Sequence, residues 1–339
     1  MAAGAGTRLR PLTLSRPKPL VPVVNTPNIG HILHSVAAAG IKEVGINLHL
    51  DPDQIKRYVG RGQPWNLNIR YSYEPKLRGT AGSLAPLRDF FKGDTFIVLS
   101  GDGVVDFTWP EILAFHRKKK SIATMILAKT DAKFDYGVVQ LGSDSRVQAI
   151  LEKPSWSDFC SPFVNTGFYI FEPEVLKYIP AKGEYDFARG LWPALIKNGL
   201  PVHGYVLKQY WCDIGNLKEY KRCHRDILEN RANIPIAGEE TKPGIWIGKN
   251  TRIAKGVKFT PPVIIGNDVI IQKNAKIDSY SVIGDRCQIG EKAQIGESIL
   301  WEDVVVSKDV KVSGCVLADR TVLKESVAFY EGAVINITN

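Results

Sequence analysis

The chain has 339 residues, a formal net charge of +9, 44% hydrophobic and 23% charged residues. That mix excludes a disordered or fibrous chain and leaves room for one large domain and a smaller one. No apolar run approaches the roughly 20 residues of a membrane-spanning helix, so no membrane partner is expected. Lys118-Lys119-Lys120, the one dense basic run, follows the apolar stripe Ile112, Leu113 and Phe115 and reads as the cationic last turn of a helix. No aromatic RNA-binding signature accompanies it, so no nucleic-acid partner is expected. The start, Met1 to Gly6, has no apolar leader core. Cys160, Cys212, Cys223, Cys287 and Cys315 form no CxxC pair. Buried thiols in a reducing, cytoplasmic setting are predicted.

From the N-terminus, Asn28 to Ala39 reads as a helix stopped by Gly40. Glu43 to Leu50 reads as a strand, and Asp51 as the cap of a helix ending near Gly60 and Gly62. Further strand candidates are Ile69–Tyr73, Phe96–Ser100, Ile122–Ala128 and Phe168–Phe171. Between them lie helix candidates at Ser83–Phe91, Pro110–Lys118 and Phe187–Lys197. The alternation predicts a Rossmann-like α/β domain with a mostly parallel sheet over residues 1–232. Residues 233–244, with Pro235, Gly238 and Pro243, read as a linker.

Residues 245–339 change period. An aliphatic residue recurs every sixth position through Ile247, Ile253, Ile265, Ile271, Ile277, Ile283, Ile289 and Ile295, with Trp301 next in phase. A second series, two residues earlier, runs through Val263, Val269, Ala275, Cys287, Ala293, Ile299 and Val305. Period six fits a left-handed parallel β-helix of triangular cross-section whose aliphatic residues point inward. Such coils bury their apolar edge only by stacking, so this series is core rather than a site. Its edges need protection, and a homo-oligomer through the β-helix is expected.

The densest chemistry stands first, in Gly4-Ala5-Gly6-Thr7-Arg8-Leu9-Arg10-Pro11-Leu12-Thr13 followed by Arg16-Pro17-Lys18-Pro19-Leu20. Glycines let a backbone approach phosphate and present its N–H groups, and Arg8 and Lys18 add fixed positive charge. Asp102 and Asp213, far apart in the chain, suit Mg²⁺, which takes one or two carboxylates and keeps waters and substrate phosphates. Read singly, Asp102 could cap a turn, and Asp213 could stand as an anion before a helix starting at Asn216. His31 and His34, three apart on a helix, have no third ligand nearby and read as ordinary histidines. Trp192, Trp211 and Trp246 read as core or interface.

These segments, in this order, resemble the sugar nucleotidyltransferase (nucleoside-diphosphate-sugar pyrophosphorylase) family. The resemblance runs on through Gly79-Thr80-Ala81-Gly82-Ser83, Ser100-Gly101-Asp102, Tyr136-Gly137-Val138-Val139, Glu152-Lys153-Pro154, Val164-Asn165-Thr166-Gly167 and Tyr210-Trp211-Cys212-Asp213-Ile214-Gly215-Asn216. It implies nucleotidyl transfer from a nucleoside triphosphate to a sugar 1-phosphate with release of pyrophosphate. It assigns the nucleotide to Ala3, Gly4, Gly6, Thr7, Gly79, Thr80, Ala81 and Gly82. The sugar phosphate falls to Gly137, Glu152, Lys153, Asn165 and Thr166, and Mg²⁺ to Asp102 and Asp213. Arg8, Lys18, Asp102 and Asp213 are the implied catalytic set, and the role of Asp106 is left open.

The nearest resemblance is to the branch that makes GDP-mannose and carries a C-terminal β-helix, so GTP with mannose 1-phosphate is the first expectation. UTP or dTTP with glucose 1-phosphate is the alternative, and a catalytically silent nucleotide-sugar-binding subunit is a third reading. An acyltransferase reading of the hexads is rejected, because no histidine follows His224. The family also has an apolar strand before its glycine loop, whereas Met1 here stands almost on that loop. Unpaired edges are expected on the neighbouring strands.

Overall fold

The computed structural model describes residues 1–130, 136–152 and 161–334. Lys153, Pro154 and Cys160 lie outside the described residues. The chain forms two compact bodies: residues 1–5 with 32–213, and residues 6–31 with 214–339. Residues 6–31 and 214–232 thus join the β-helix, where the sequence placed them with the α/β domain.

In the first body the Ala123–Lys129 strand is buried on both faces, as a near-continuous apolar run should be. It pairs in parallel with Val202–Val206 and antiparallel with Phe163–Phe171. The Phe163–Phe171 strand also pairs antiparallel with Phe96–Val98 and meets Gly137–Leu141 at Val164. Gly137–Leu141 and Val147–Glu152 form a hairpin, and Glu43–Leu48 and Asn68–Tyr73 form a parallel pair. Phe171, Phe187 and Trp192 stack within the core below the sheet. The α/β fold is as expected, but in the six-stranded sheet only Ala123–Lys129 with Val202–Val206 is parallel and the other pairings are antiparallel.

Residues 1–2 lie beside this sheet. Gly101 N donates to Met1 O at 2.8 Å, the Met1 amino group donates to Leu99 O at 2.7 Å, and Ala2 N donates to Asn47 Oδ1 at 2.7 Å. These contacts cap strand ends only: among the described residues Phe96–Val98 pairs with Phe163–Phe171 alone and Glu43–Leu48 with Asn68–Tyr73 alone, so each keeps the unpaired edge that was expected.

Three local expectations change. Asp51 adopts φ 42° and makes no side-chain cap to the Pro52–Val59 helix. Gly82–Phe91 winds as tight 3₁₀ turns around Pro86, which lacks an N–H for α-type bonding. Phe187–Leu191 forms a wide π turn before the short α-helix Trp192–Lys197, whose Pro193 cannot donate either. The helices Asn28–Ala38 and Trp109–Lys118 fall where the sequence put them.

In the second body, parallel strands stack with an 18-residue offset, as in Ile247↔Ile265↔Ile283 and Ile253↔Ile271↔Ile289. Three hexads therefore close one coil. The inward set, Ile265, Ile271, Ile277, Ile283, Ile289 and Ile295, forms a continuous buried core. Corner residues such as Asp268, Asn274, Tyr280, Arg286 and Lys292 take positive φ once per hexad. At Leu300 the offset drops to 17, since Ile283 pairs with Leu300 and Ile289 with Val306. One residue fewer shifts the hexad phase by one, and the 17-residue offset recurs in the next coil, where Leu300 pairs with Leu317 and Val306 with Leu323. Leu300, Val304 and Val306 hold the inward positions, while Trp301 and Val305, expected there from the hexad phase, do not join the coil core. The segment read as a linker contains a strand, Glu239–Lys242, antiparallel to Ile245–Ile247, which covers the exposed edge of the first coil.

Among the described residues no helix is long and apolar enough to cross a membrane.

Candidate active site

The first body gathers most of the predicted site residues on neighbouring strand ends. Trp211–Asp213 pairs antiparallel with Gly103–Val105, and the register sets Asp213 opposite Gly103. Asp102 and Asp213, 111 positions apart in the sequence, thus stand at adjacent positions of paired strands. The Ser100 hydroxyl donates to Asp102 Oδ1. Asp213 is not the anion that starts the following helix: Asn216 caps Leu217–Leu228, its Oδ1 accepting from Glu219 N at 2.9 Å. Both carboxylates are half-buried, and hard oxygens of this kind are what Mg²⁺ takes. Among the described residues no group of three acidic, histidine or cysteine side chains converges on a metal position.

Asp106 acquires a role. Its Oδ1 accepts from Tyr210 N at 2.8 Å, and its own N donates to Tyr210 O at 3.4 Å. These bonds hold the end of the strand pair that carries Asp213.

The sugar-reading candidates lie on the adjoining hairpin. Gly137 pairs with Glu152 across the strands. A Cβ at Gly137 would stand 2.9 Å from Glu152 Oε2, so glycine is what lets that carboxylate lie over the strand. Asn165 lies on the neighbouring strand, its Cβ 3.8 Å from the same point. Its amide is fixed at both ends: Nδ2 donates to Tyr169 Oη at 2.8 Å, and Oδ1 accepts from Gly167 N at 3.1 Å. One N–H and one lone pair remain to meet a ligand. Burial pushes the Tyr169 phenol up to about 12, so it stays protonated as a fixed partner.

A register shift between Asn165 and Phe168 bulges this strand and carries Gly167 against Ser100, the residue that bonds Asp102. Bulges of this kind re-aim side chains next to sites. Thr166 is different, since its buried hydroxyl donates to Ile126 O at 2.6 Å and secures the bulge. Tyr136 meets Trp211 edge-on at 5.3 Å, next to Gly137 in sequence and within the Asp213 strand.

The Gly79–Gly82 loop is braced by residues with no motif of their own. Asp186 Oδ1 accepts from both Thr80 N, at 3.1 Å, and Thr80 Oγ1, at 2.9 Å. Thr80 Oγ1 in turn accepts from Phe187 N at 2.9 Å. Gly82 N donates to Tyr185 O at 2.8 Å, and Tyr185 N to Arg78 O at 2.8 Å. Buried Glu74 accepts from Asn47 Nδ2 at 3.0 Å and from Arg78 N at 3.1 Å, securing the approach to the loop. Asp186 and Glu74 escaped the sequence reading because their partners are set by the fold and not by local spacing. Ala81 is fully buried and packs, while Thr80 is exposed.

The glycine loop itself is divided by the two bodies. Ala3 is buried and Gly4 exposed in the first. In the second, Gly6 adopts φ +61°, and its O accepts from Thr13 Oγ1 at 2.8 Å and from Leu9 N at 3.1 Å. A Cβ at Gly6 would sit 3.0 Å from Thr13 Cγ2 and 3.1 Å from Lys18 Cβ. Gly6, Thr13 and Lys18, spread along the motif, are thus packed into one turn. Lys18 is only 7% exposed, while Thr7 and Arg8 face solvent.

The nucleotidyl transferase family model matches residues 1–230, and the EIF2B subunit epsilon LbH domain model matches residues 242–338. A UTP–glucose-1-phosphate uridylyltransferase of Synechocystis is 33% identical over 312 residues, covering 82% of this chain and 80% of that protein. A mannose-1-phosphate guanylyltransferase of Mycobacterium tuberculosis is 31% identical over 282 residues, covering 80% and 78%. Among solved structures, a Bacillus anthracis protein provisionally named glucose-1-phosphate thymidylyltransferase superposes with a TM-score of 0.62 at 24% identity, over 69% of this chain and 94% of that one. This last likeness speaks for the fold alone. On the family match over more than half its length, the chain belongs to the nucleotidyl transferase family.

Proposed function

We propose that the protein transfers a nucleotidyl group from GTP to mannose 1-phosphate, giving GDP-mannose and pyrophosphate. The observation that carries the reaction class is the strand register that sets Asp213 beside Asp102, next to the Gly137–Glu152–Asn165 cluster. The mannose assignment follows the sequence motifs and the guanylyltransferase relatives. A second pair, UTP with glucose 1-phosphate, is favoured by the Synechocystis relative.

In the reaction, a phosphate oxygen of the sugar 1-phosphate attacks the α-phosphorus of the triphosphate. The α–β anhydride bond breaks and pyrophosphate leaves. Both reactants are anions, so alignment and preorganised positive charge supply most of the acceleration. Arg8 takes the β- and γ-phosphates with the loop N–H groups, and Lys18 takes the α-phosphate. Glu152 accepts from sugar hydroxyls, and Asn165, held by Tyr169 and Gly167, reads another. The loop from Gly79 to Gly82 takes the base. Enzymes of this family generally use a divalent metal, and Asp102 and Asp213 are the residues that would hold Mg²⁺, which supplies charge neutralisation on the reacting phosphates.

The test is pyrophosphate release from GTP, UTP, dTTP, ATP and CTP, each with mannose 1-phosphate and glucose 1-phosphate, in Mg²⁺ and in chelator. Release led by GTP with mannose 1-phosphate is expected, and a different leading pair would move the substrate assignment. Binding without turnover in any pair would refute the enzyme reading in favour of a nucleotide-sugar-binding subunit.

A further inference from the structure

Within the second body, the turn carrying Lys18 is held on two sides, by two successive coils of the β-helix and by Tyr220 of the helix Leu217–Leu228. On one side, Arg16 Nη2 lies 3.1 Å from Glu302 Oε1 and 2.7 Å from Asp319 Oδ2, with its guanidinium carbon 5.3 Å from the centre of the Trp301 ring. On the other side, Tyr220 Oη donates to Pro22 O at 2.5 Å and accepts from Trp301 Nε1 at 3.0 Å. Both tethers meet on Trp301, which is 1% exposed. Trp301 is available there because the coil that holds it is one residue short, which gives Leu300 the inward place.

The three-residue turn Lys18–Leu20 stands between these two tethers. The Arg16 side chain is 14% exposed. A planar guanidinium shared between two carboxylates and laid on an indole is held in direction as well as place, which a lysine ammonium would not reproduce. The coil partner is itself fixed, since Glu302 N donates to Asp319 Oδ1 at 3.1 Å and Arg286 bonds both Glu302 and Asp303. Nothing in the packing of the coil core calls for this cluster, which lies outside the inward series.

We propose that Arg16 is a positioning residue for triphosphate binding: it holds Lys18 in place through Glu302, Asp319 and Trp301, so that the β-helix sets the affinity for the nucleotide. The inference rests on the reading that Lys18 meets the triphosphate. A side chain placed by two tethers loses little freedom on binding. Cutting one tether restores that freedom and weakens the nucleotide specifically, while the sugar 1-phosphate, read by Glu152 and Asn165, is unaffected.

The experiment uses the full chain and five variants: Arg16→Ala, Arg16→Lys, Glu302→Gln with Asp319→Asn, that pair combined with Arg16→Ala, and Lys18→Ala. GTP and UTP are titrated calorimetrically with Mg²⁺, KM is measured for both substrates, and thermal unfolding is followed. Arg16→Ala and the Glu302/Asp319 variant are each expected to weaken the triphosphate about tenfold, equivalent to about 1.4 kcal/mol. The sugar 1-phosphate KM stays within about twofold, and Arg16→Lys recovers part of the loss. Combining Arg16→Ala with the Glu302/Asp319 pair adds little, as members of one network should behave. A lowered Tm with unchanged triphosphate affinity would mean a merely structural staple and overturn the proposal, as would a parallel rise in both KM values. If Arg16→Ala does not fold, the Glu302/Asp319 variant decides alone. Weakening by Lys18→Ala with no effect at Arg16 rejects this inference and leaves the functional reading standing. No weakening by Lys18→Ala rejects the reading of the loop, and the inference with it.

Discussion

Gly137→Ala acts directly on the carboxylate proposed to read the sugar. The new Cβ would lie 2.9 Å from Glu152 Oε2, where ordinary contact begins near 3.4 Å. The carboxylate must therefore retreat by about 0.5 Å, since repulsion inside normal contact is steep. Glu152 is exposed, so it can swing away at little cost to the fold, and stability should change by no more than about 0.5 kcal/mol. A hydrogen bond donated by a sugar hydroxyl to Glu152 would stretch from about 2.8 to about 3.3 Å, toward the edge of useful geometry. Bonds to a charged acceptor are worth about 1.5–3 kcal/mol, so losing most of one lowers kcat/KM for the sugar 1-phosphate about tenfold to a hundredfold. Initial rates with the triphosphate saturating and the sugar 1-phosphate varied measure this, alongside the reverse series. An unchanged sugar 1-phosphate kcat/KM in a folded variant would refute Glu152 as the sugar reader. An equal loss in both series would mean that the hairpin as a whole had been disturbed.

Three further outcomes are expected. Asp102→Asn and Asp213→Asn should each abolish Mg²⁺-dependent turnover while leaving Tm within about 2 °C, so wild-type turnover in either would remove that residue from the metal-binding pair. Asp186→Ala deletes the acceptor of two Thr80 hydrogen bonds and should raise the triphosphate KM about thirtyfold with the sugar 1-phosphate KM unchanged, at about 1 kcal/mol per bond; equal KM shifts would argue against a role confined to the base loop. His224 is buried and neutral, with Nε2 accepting from Val24 N at 3.1 Å and Nδ1 bonded to Tyr220 O at 3.0 Å, and burial lowers its pKa to about 4. The unfolded chain takes up this proton near pH 6.5 and the folded chain only near 4. Stability is therefore full above pH 6.5 and falls by about 3 kcal/mol as the pH drops through that window. Denaturant unfolding at pH 7 and pH 4.5 should show a larger loss for the native chain than for His224→Gln, and equal losses would refute the assignment.

Some of this molecule was legible in its sequence because the signal was local. Alternating apolar runs marked the α/β body, and a period of six marked the β-helix, since both periods follow from how one chain buries one face. The motif residues were legible as a set, and the strand register explains how Asp102 and Asp213 come together. What escaped was relational. Asp186 serves Thr80 from 106 positions away, and nothing around Asp186 announces it. Thr166 stands in the segment that the resemblance assigns to the sugar, and the bond from its hydroxyl to Ile126 O, which anchors the bulge, has no signal in the local sequence. Glu239–Lys242 looked like a polar linker, but a first coil with an open edge gives even a charged segment a strand to pair with.

The short coil at Leu300 joins the architecture to the chemistry. A perfect hexad would have placed residue 301 inside the coil, where a tryptophan is too large for positions otherwise held by Ile, Leu and Val. Dropping one residue exchanges it for Leu300 and turns the indole outward, where its N–H bonds Tyr220 and its face receives Arg16. The 17-residue coil is, in this body, what lets the β-helix hold the turn that carries Lys18.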